Sequence, residues 1–225
     1  MRICVVFHLG TPAEWPFYRP YLLNVPKPFD LYVTVHDLER SRAELRELGA
    51  MGAHRLHPIV VPNRGMDTGP FLLAIRRLRR SYDLLLKVHT KTEKNVANWR
   101  RELLDPILAS PKAVRRVMAC FAERRVGMVG ARRWLIKEPM NEAVDAYARG
   151  LGLSRQPGNT FIAGTMFWVR PSLVLRHFAL VDVSRAVLEM PPGDEAKRVA
   201  MSSAHAMERI FGNLVTQQGY QIRGL

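Results

Sequence analysis

The sequence has few cysteines and no long apolar run, and each shortage narrows what the chain can be. Its two cysteines, Cys4 and Cys120, lack metal-ligand spacing, so we expect small buried hydrophobic residues in a reducing compartment. The seven histidines also lack paired ligand spacing, which argues against a zinc centre. No apolar stretch approaches the roughly 20 residues that a membrane-spanning helix needs.

Acidic residues are also few. The chain has 20 Asp and Glu residues and 34 Lys and Arg residues, which gives a formal net charge of +14. This excess indicates an anionic partner, and it leaves nucleic acid, a lipid surface and phosphorylated small molecules open. The apolar run in MRICVVFHLG is too short for a signal peptide and is typical of a first strand. We therefore expect a cytoplasmic protein, or one peripheral to the inner face of the membrane.

Apolar runs typical of buried strands alternate with helical patterns along most of the 225 residues. The alternation predicts an α/β fold, a single domain over residues 1–225 with a mainly parallel, mixed central sheet and helices on both faces. Ligands bind such sheets beyond the carboxyl ends of the strands. The predicted strands are Ile3–Leu9, Phe29–His36, His57–Val61, Asp83–His89, Val126–Gly130 and Phe161–Val169. The predicted helices are Leu38–Leu48, Gly69–Arg80, Trp99–Leu108, Pro111–Arg124 (capped by Ser110), Asn141–Gly150 and Ser203–Gln218 (ended by Gly219), with a flexible loop at Pro191–Glu195.

The segment VVPNRGMDTGPFLLAI follows the third predicted strand and opens a helix. Its glycines and its polar Asn63, Arg64 and Asp67 form a loop that could hold a nucleotide base or sugar near a helix N-terminus. An equally weighted alternative is a tight turn in which Asn63 and Asp67 only cap backbone groups. The segment is not a P-loop, because G-x-x-x-x-G-K-[ST] is missing.

The segment YDLLLKVHTKTEKN begins as a buried strand and ends in basic and hydroxyl groups. Because burying an unpaired ammonium is costly, we expect these groups to be presented at the strand end. Lys87 and Lys91 could pair with a diphosphate, to which Thr90 and Thr92 could donate hydrogen bonds. The alternative is a solvated loop in which His89 is packed or exposed.

Two later segments carry further candidates. Gly164 interrupts the strand in NTFIAGTMFWVRPSLV, where an isolated glycine indicates a close approach by ligand or backbone. The aromatic residues around it, Trp168 included, fit a core better than a sugar platform. In AHAMERIFGNLV, His205 and Glu208 share one helix face. Such pairs are usually surface or capping groups, but Glu208 borders an apolar face and is a candidate base.

Taken in order, these segments resemble the rhamnan synthesis protein F family, bacterial glycosyltransferase-like proteins of rhamnose-containing polysaccharide assembly. The resemblance rests on the order and spacing of PFDLYVTV, NRGMDTGPFLLAI, YDLLLKVHTKT, WRRELLDPILASP, VGMVGA, FIAGTMFWVRP and AHAMERIFG. It implies a GT-A-like domain, with residues 1–130 as the nucleotide-sugar-binding half and 131–225 as the acceptor-side half. In GT-A proteins the strand before the site ends in a D-x-D metal motif, but here it ends in His89-Thr90-Lys91. Lysine cannot bind a divalent cation, whereas it can neutralise a diphosphate directly.

The resemblance therefore implies a glycosyltransferase that needs no metal and no cofactor. It would transfer a deoxyhexose, namely rhamnose from the donor dTDP-rhamnose, to a surface polysaccharide or lipid-linked glycan. An anionic membrane surface is a further partner that the family resemblance allows. Glu208 would be the general base, with Asp194 and Glu195 as less favoured candidates, and a retaining reaction would need none. The implied donor-binding residues are His8, Asp37, Asn63, Arg64, Gly65, Asp67, Lys87, His89, Thr90 and Lys91. The implied acceptor-side residues are Gly164, Trp168 and His205.

Two other classes of function remain open. A non-catalytic module that binds a nucleotide sugar or glycan is favoured by the lost acidic positions and disfavoured by the retained loop and basic strand end. A nucleic-acid binder would need arginines clustered with exposed aromatic residues. The run of Arg76, Arg77, Arg79 and Arg80 more simply forms a solvated helix end suited to anionic lipid.

Overall fold

The computed structural model describes residues 1–92, 98–154, 158–196 and 202–225, without the side chains of 194 and 196. The strands are β1 (Ile3–His8), β2 (Phe29–Val35), β3 (Arg55–Val60), β4 (Leu84–His89), β5 (Val126–Gly130), β6 (Leu135–Pro139), β7 (Gly158–Ile162), β8 (Phe167–Val169) and β9 (Gln221–Gly224). The helices are α1 (Trp15–Leu22), α2 (Arg42–Ala50), α3 (Thr68–Ile75), α4 (Trp99–Leu108), α5 (Pro111–Cys120), α6 (Glu142–Gly150), α7 (Pro171–Phe178), α8 (Val183–Glu189), α9 (Gly193–Ala196) and α10 (Ser203–Gln217).

A seven-stranded sheet in the order β3-β2-β1-β4-β8-β5-β9 forms the centre of the fold. The first four strands of that order are parallel, β8 runs antiparallel between β4 and β5, and β9 is parallel to β5. The mainly parallel, mixed sheet predicted from the sequence is thus confirmed. Because β8 lies between β4 and β5, the predicted halves 1–130 and 131–225 contribute strands to one common sheet. Strands β6 and β7 pair separately.

Apolar side chains cover both faces of the sheet. Strands β1, β2 and β4 are buried along their whole length, which explains their nearly continuous apolar runs. On one face, α1, α2, α4 and α5 pack over residues such as Phe7 and Trp168. On the other, α3, α7, α8 and α10 pack over residues such as Cys4 and Phe167. Within the described ranges, no helix has both the length and the apolarity to cross a membrane.

Several local predictions are confirmed, and one strand prediction is wrong. The Ser110 hydroxyl accepts a hydrogen bond from the Ala113 amide at 3.1 Å at the start of α5, and Gly219 has φ of +76° just beyond α10. The predicted strand Phe161–Val169 instead divides into β7 and β8, which lie in different sheets. The division falls at Gly164 and Thr165, whose φ angles of +80° and +51° a continuous strand cannot contain.

Other elements differ from the predictions or were not predicted. Helix α3 ends at Ile75, so the arginines from Arg76 to Arg80 follow the helix rather than continue it. The loop predicted at Pro191–Glu195 contains the short helix α9. Helix α1 carries Pro20 in its interior, a residue that argues against a helix when only the sequence is read. The elements α1, α7, α8, β6 and β9 were not predicted.

Candidate active site at the carboxyl ends of the parallel strands

Three neighbouring parallel strands end at one level, where His8 of β1 aligns with Thr34 of β2 and His89 of β4. The His8 ring nitrogen Nδ1 lies 2.9 Å from the Thr34 hydroxyl. Burial lowers the pKa of His8 to about 3, so this imidazole is neutral at pH 7. The Thr90 amide donates to the His8 carbonyl, and the Thr90 hydroxyl accepts from the Thr11 amide, each at 2.9 Å. His8 and Thr90 therefore bind the strand ends to each other.

A buried ion pair between Lys87 and Asp67 lies directly beneath these strand ends. Lys87 is only 1% exposed, and its Nζ lies 2.5 Å from Asp67 Oδ2. The same ammonium donates to the Thr165 carbonyl at 3.0 Å and to its hydroxyl at 2.8 Å. The Thr165 hydroxyl in turn donates to Asp67. The sequence predicted that Lys87 would be presented at the strand end, but its side chain is buried. Its burial is tolerable because Asp67 supplies the counter-charge.

The charge state of this centre follows from its burial. Burial by itself raises the pKa of Asp67, but His89, Lys87 and the hydrogen bonds from Lys87 and Thr165 more than offset it and hold that pKa below its usual range. Burial also lowers the pKa of His89 well below its usual range, so His89 is neutral at pH 7. Its Nδ1 lies 3.6 Å from Asp67 Oδ2. Lys87 is therefore the cation that balances the Asp67 carboxylate.

The turn between β7 and β8 connects this pair to a second carboxylate. Thr165 binds Asp67 and Lys87, while the amide of the preceding residue, Gly164, donates to Glu208 Oε1 at 2.5 Å. A β-branched residue at positive φ is strained, and such strain is concentrated at functional sites. The sequence indicates a special role for Gly164 but not for Thr165, because only the positive φ of both residues reveals the turn.

Glu208, on α10, has a side chain only 17% exposed. Burial raises the pKa of Glu208, and the negative charge of Asp67 raises it further. The Gly164 amide, Arg209 and Lys91 lower it, but the net shift is upward. Among the described residues, the second oxygen, Oε2, has one long hydrogen bond, from Arg209 at 3.5 Å. Arg209 itself binds Glu138 at 2.6 Å. Glu208 is therefore a held carboxylate with a raised pKa and one weakly bound oxygen, as a general base requires.

Lys91 lies just beyond β4 and is half-buried. Its amide donates to the Tyr18 hydroxyl at 2.8 Å, and its ammonium lies 3.7 Å from the ring centroid of Trp99. Burial lowers the pKa of Lys91, while the charges of Asp67 and Glu208 raise it. In the described part of the chain, no carboxylate comes within ion-pair distance of Lys91, so its charge is available to an anion.

The loop before α3 packs against the end of α8. The Arg64 guanidinium donates to the carbonyls of Leu188 and Met190 at 3.0 and 2.8 Å. Gly65 has φ of +67°, and a Cβ there would lie 2.2 Å from the Met190 sulfur, so no other residue fits. Asn63 is exposed, and its carbonyl accepts from the Gly193 amide at 3.1 Å. Arg64 and Gly65 thus shape the loop, and Asn63 presents its side chain.

Two predicted site residues lie away from this centre. Asp37 is exposed and accepts hydrogen bonds from the amides of Glu39 and Arg40 at 2.9 and 3.1 Å, as a turn cap does. Trp168 is fully buried, and its indole N–H donates to the Ile107 carbonyl at 3.3 Å. It is a core residue and offers no surface to an acceptor.

The remaining candidates lie on or near α9 and α10. His205 is half-buried and its Nδ1 lies 2.9 Å from the Ser202 hydroxyl in a capping box. Glu195 is exposed on α9. The Asp194 side chain lies outside the described part of the structure. Glu208 is thus the only one of the three predicted base candidates that the described side chains place in contact with the strand-end site.

Among the described residues, no group of three or more His, Cys, Asp or Glu side chains is placed to hold a metal ion. A cation at Asp67 would meet the Lys87 ammonium, which occupies the oxygen Oδ2.

A sequence model for the family described as rhamnan synthesis protein F matches residues 2–220. The chain belongs to the rhamnan synthesis protein F family. The resemblance read from its motifs is therefore confirmed, and this family member has the mainly parallel, mixed α/β sheet that the sequence predicted. A search of curated proteins gives no significant match.

Three solved structures show a partial likeness to this family member. TarS 1–349 of S. aureus is 11% identical, with a TM-score of 0.45 over 77% of this chain and 48% of that chain. Glucosyl-3-phosphoglycerate synthase from Mycobacterium tuberculosis is 16% identical, with a TM-score of 0.39 over 98% and 79%. Mouse xyloside xylosyltransferase 1 is 8% identical, with a TM-score of 0.42 over 100% and 85%. The chain spans about half the length of the TarS chain.

The buried pair yields a stability prediction. Lys87→Met leaves the Asp67 carboxylate buried without its cation, so the free energy of unfolding should fall by about 3–5 kcal/mol in urea denaturation followed by circular dichroism. As a matched control, Arg185→Met breaks the exposed ion pair with Glu189, at 2.8 Å, and should leave the midpoint unchanged. Equal effects of the two substitutions would contradict the assignment.

The same variant has an expected pH dependence. The folded pKa of Asp67 lies below its ordinary value of 3.8, so Asp67 stabilises the fold fully above that value and loses this contribution as the pH falls through the folded pKa. In Lys87→Met, burial without the cation raises the pKa of Asp67 above its ordinary value instead, so the variant regains stability when Asp67 takes up a proton. The stability difference between wild type and Lys87→Met should therefore be largest at high pH and shrink as the pH falls towards the folded pKa of wild-type Asp67.

Proposed function

We propose that the chain is the catalytic domain of a metal-independent glycosyltransferase. It moves a deoxyhexose, rhamnose from dTDP-rhamnose, to a bacterial surface polysaccharide or a lipid-linked glycan. The observation that carries the proposal is the placement of two groups at one end of the sheet: Lys91, a cation without an ion-pair partner among the described residues, and Glu208, a carboxylate with a raised pKa. Membership in the rhamnan synthesis protein F family supports the choice of polysaccharide and sugar.

On the donor side, Lys91 binds the diphosphate. Its ammonium stacks on Trp99 and has no carboxylate partner in the described structure, so it can neutralise the charge that develops on the leaving group. Lys87 cannot do the same, because its charge is already balanced by Asp67. The exposed side chain of Asn63 faces solvent in the loop before α3, where it can bind the nucleotide or sugar.

On the acceptor side, Glu208 is the general base. The acceptor oxygen attacks the anomeric carbon, the bond from that carbon to the diphosphate oxygen breaks, and the acceptor proton passes to Glu208 Oε2. The Gly164 amide holds the other oxygen, so the carboxylate stays in place during the transfer. This is an inverting displacement; a retaining reaction would not need the base.

A second candidate function is a non-catalytic module that binds a nucleotide sugar or glycan. The Lys87–Asp67 pair favours it, because the carboxylate nearest the end of β4 is engaged in structure rather than chemistry. The two functions differ in whether bound donor is turned over.

Donor binding tests the proposal first. In calorimetry with dTDP, affinity should be unchanged by excess chelator, and Lys91→Ala should weaken it by about 1.5–3 kcal/mol through loss of a charge-assisted hydrogen bond. Lys112→Ala removes an exposed lysine of α5 and serves as the control, with no expected effect. A strict need for Mg²⁺ or Mn²⁺, or unchanged affinity in Lys91→Ala, would overturn the donor-site assignment.

Glu208→Gln separates enzyme from binding module. Turnover should fall by roughly 10² to 10⁴, while donor affinity and melting temperature stay near wild type, because only the proton acceptor is lost. Glu195→Gln, on α9, tests the less favoured base and should keep full activity. Normal turnover in Glu208→Gln would remove this residue from the mechanism, and a wild type that binds donors without transfer would favour the binding module.

For localisation, we propose contact with an anionic membrane through the arginines that follow α3. Arg76, Arg77 and Arg79 are exposed and form no ion pair within the described residues, and Arg77 and Arg79 line a groove with His57. Arg77→Glu/Arg79→Glu should weaken co-sedimentation with phosphatidylglycerol vesicles at least about tenfold, since each arginine near such a surface contributes about 1 kcal/mol. The control variant Arg115→Glu/Arg116→Glu makes the same charge change on α5 and should co-sediment with the vesicles as wild type does. Equal loss of co-sedimentation in the two variants would show that net charge alone causes the binding.

A further inference from the structure

Two tryptophans form an aromatic pair beside Lys91. The ring centroids of Trp99, at the start of α4, and Trp134, just before β6, lie 5.4 Å apart with planes 41° apart. Both side chains are partly exposed, whereas the other two tryptophans of the chain, Trp15 and Trp168, are 2% and 0% exposed. The pair therefore differs from the tryptophans that only fill the core. No local sequence pattern reveals the pair, because 34 intervening residues separate its members.

The pair and a neighbouring side chain carry polar atoms without hydrogen-bond partners among the described residues. These atoms are the indole N–H groups of Trp99 and Trp134 and the oxygen Oε2 of Glu102, which lies one turn along α4. The other Glu102 oxygen binds Arg133 at 2.7 Å and so joins α4 to the segment that carries Trp134. Native proteins rarely leave buried polar atoms unpaired. Two donors and one acceptor on α4 and the segment before β6 are therefore without partners among the described residues.

The pair lies next to the proposed reaction centre. The Trp134 carbonyl accepts from the amide of Ala163 at 2.8 Å, and the next residue, Gly164, binds Glu208. The Lys91 ammonium lies over the Trp99 ring. The tryptophans thus adjoin both the turn that holds the base and the cation assigned to the diphosphate.

We propose that Trp99 and Trp134 form the acceptor subsite and bind a pyranose ring of a deoxyhexose-containing glycan. Aromatic rings pack against the apolar C–H face of a sugar, and the methyl group of a deoxyhexose adds apolar area to that contact. The unpaired indole N–H groups and Glu102 Oε2 bind sugar hydroxyls, which satisfies the atoms left without partners. This inference rests on the proposed glycosyl transfer, since it assigns the acceptor of that reaction.

The test uses a rhamnose trisaccharide as the probe, followed by intrinsic fluorescence in the presence of saturating dTDP. Trp99→Phe and Trp134→Phe keep an aromatic ring in the packing but remove the N–H groups, and each should weaken trisaccharide binding about tenfold or more, with the apparent acceptor KM raised equally. Donor affinity and melting temperature should stay unchanged in Trp134→Phe, which carries the test. Trp99→Phe keeps an aromatic ring under the Lys91 ammonium, and its trisaccharide affinity is therefore read relative to its own dTDP affinity. Tyr147→Phe removes another buried polar atom without a partner, on α6, and should have no effect on either ligand.

The outcomes separate this inference from the proposed function. Unchanged trisaccharide affinity in both tryptophan variants would overturn the subsite, as would a wild type that binds dTDP but no trisaccharide. A wild type that fails to bind any nucleotide sugar would instead overturn the proposed function. Trisaccharide binding that is lost only in the tryptophan variants, with dTDP binding retained, is the result expected.

Discussion

The Lys87–Asp67 ion pair is the interaction on which the strand-end site depends. A lysine on a fully buried strand is tolerable only with a carboxylate close to it, and Asp67 is placed there by the loop before α3. Thr165 binds both members, which fixes the turn between β7 and β8. That turn then positions the Gly164 amide on Glu208. One charge pair in the sheet thus sets the position of the proposed base, although α10 is distant in sequence.

The pair also decides which charges remain for a ligand. Because Asp67 and Lys87 balance each other, neither contributes net charge at the end of β4. His8 and His89 are held neutral by burial. Lys91 is left as a cation without a carboxylate partner in the described structure, next to a carboxylate whose pKa is raised. In the reaction that we propose, Lys91 neutralises the diphosphate leaving group, and Glu208 takes the proton of the acceptor hydroxyl. The lysine would then have the role that a metal ion has at a D-x-D motif.

The sequence predicted the parallel strands well because strands covered on both faces need continuous apolar runs, as in Ile3–His8 and Leu84–His89. The sequence-based prediction was wrong where the burial of a side chain depends on a partner that is distant in sequence. The partner of Lys87 lies 20 positions earlier in the chain, and no local pattern reveals it. The turn at Gly164 and Thr165 was hidden inside an apolar run.

The residues of the candidate site were likewise predicted only in part. Strand-end placement and the family resemblance led to Lys91 and Glu208, which lie together. The same reasoning also assigned ligand roles to Arg64 and Trp168, whose contacts are with backbone carbonyls. Periodicity can place a side chain at a strand end or on a helix face, but it cannot tell whether the protein itself already occupies the polar group.

A crystal structure of the complex with dTDP, grown with Mn²⁺ and recorded at a wavelength where manganese scatters anomalously, tests the central claim most directly. The account predicts the diphosphate within hydrogen-bond distance of Lys91 Nζ, the Lys87–Asp67 pair intact and no manganese peak at Asp67. A manganese ion bound by Asp67 between the protein and the diphosphate, with Lys87 displaced, would contradict it, and so would a diphosphate bound away from the end of β4.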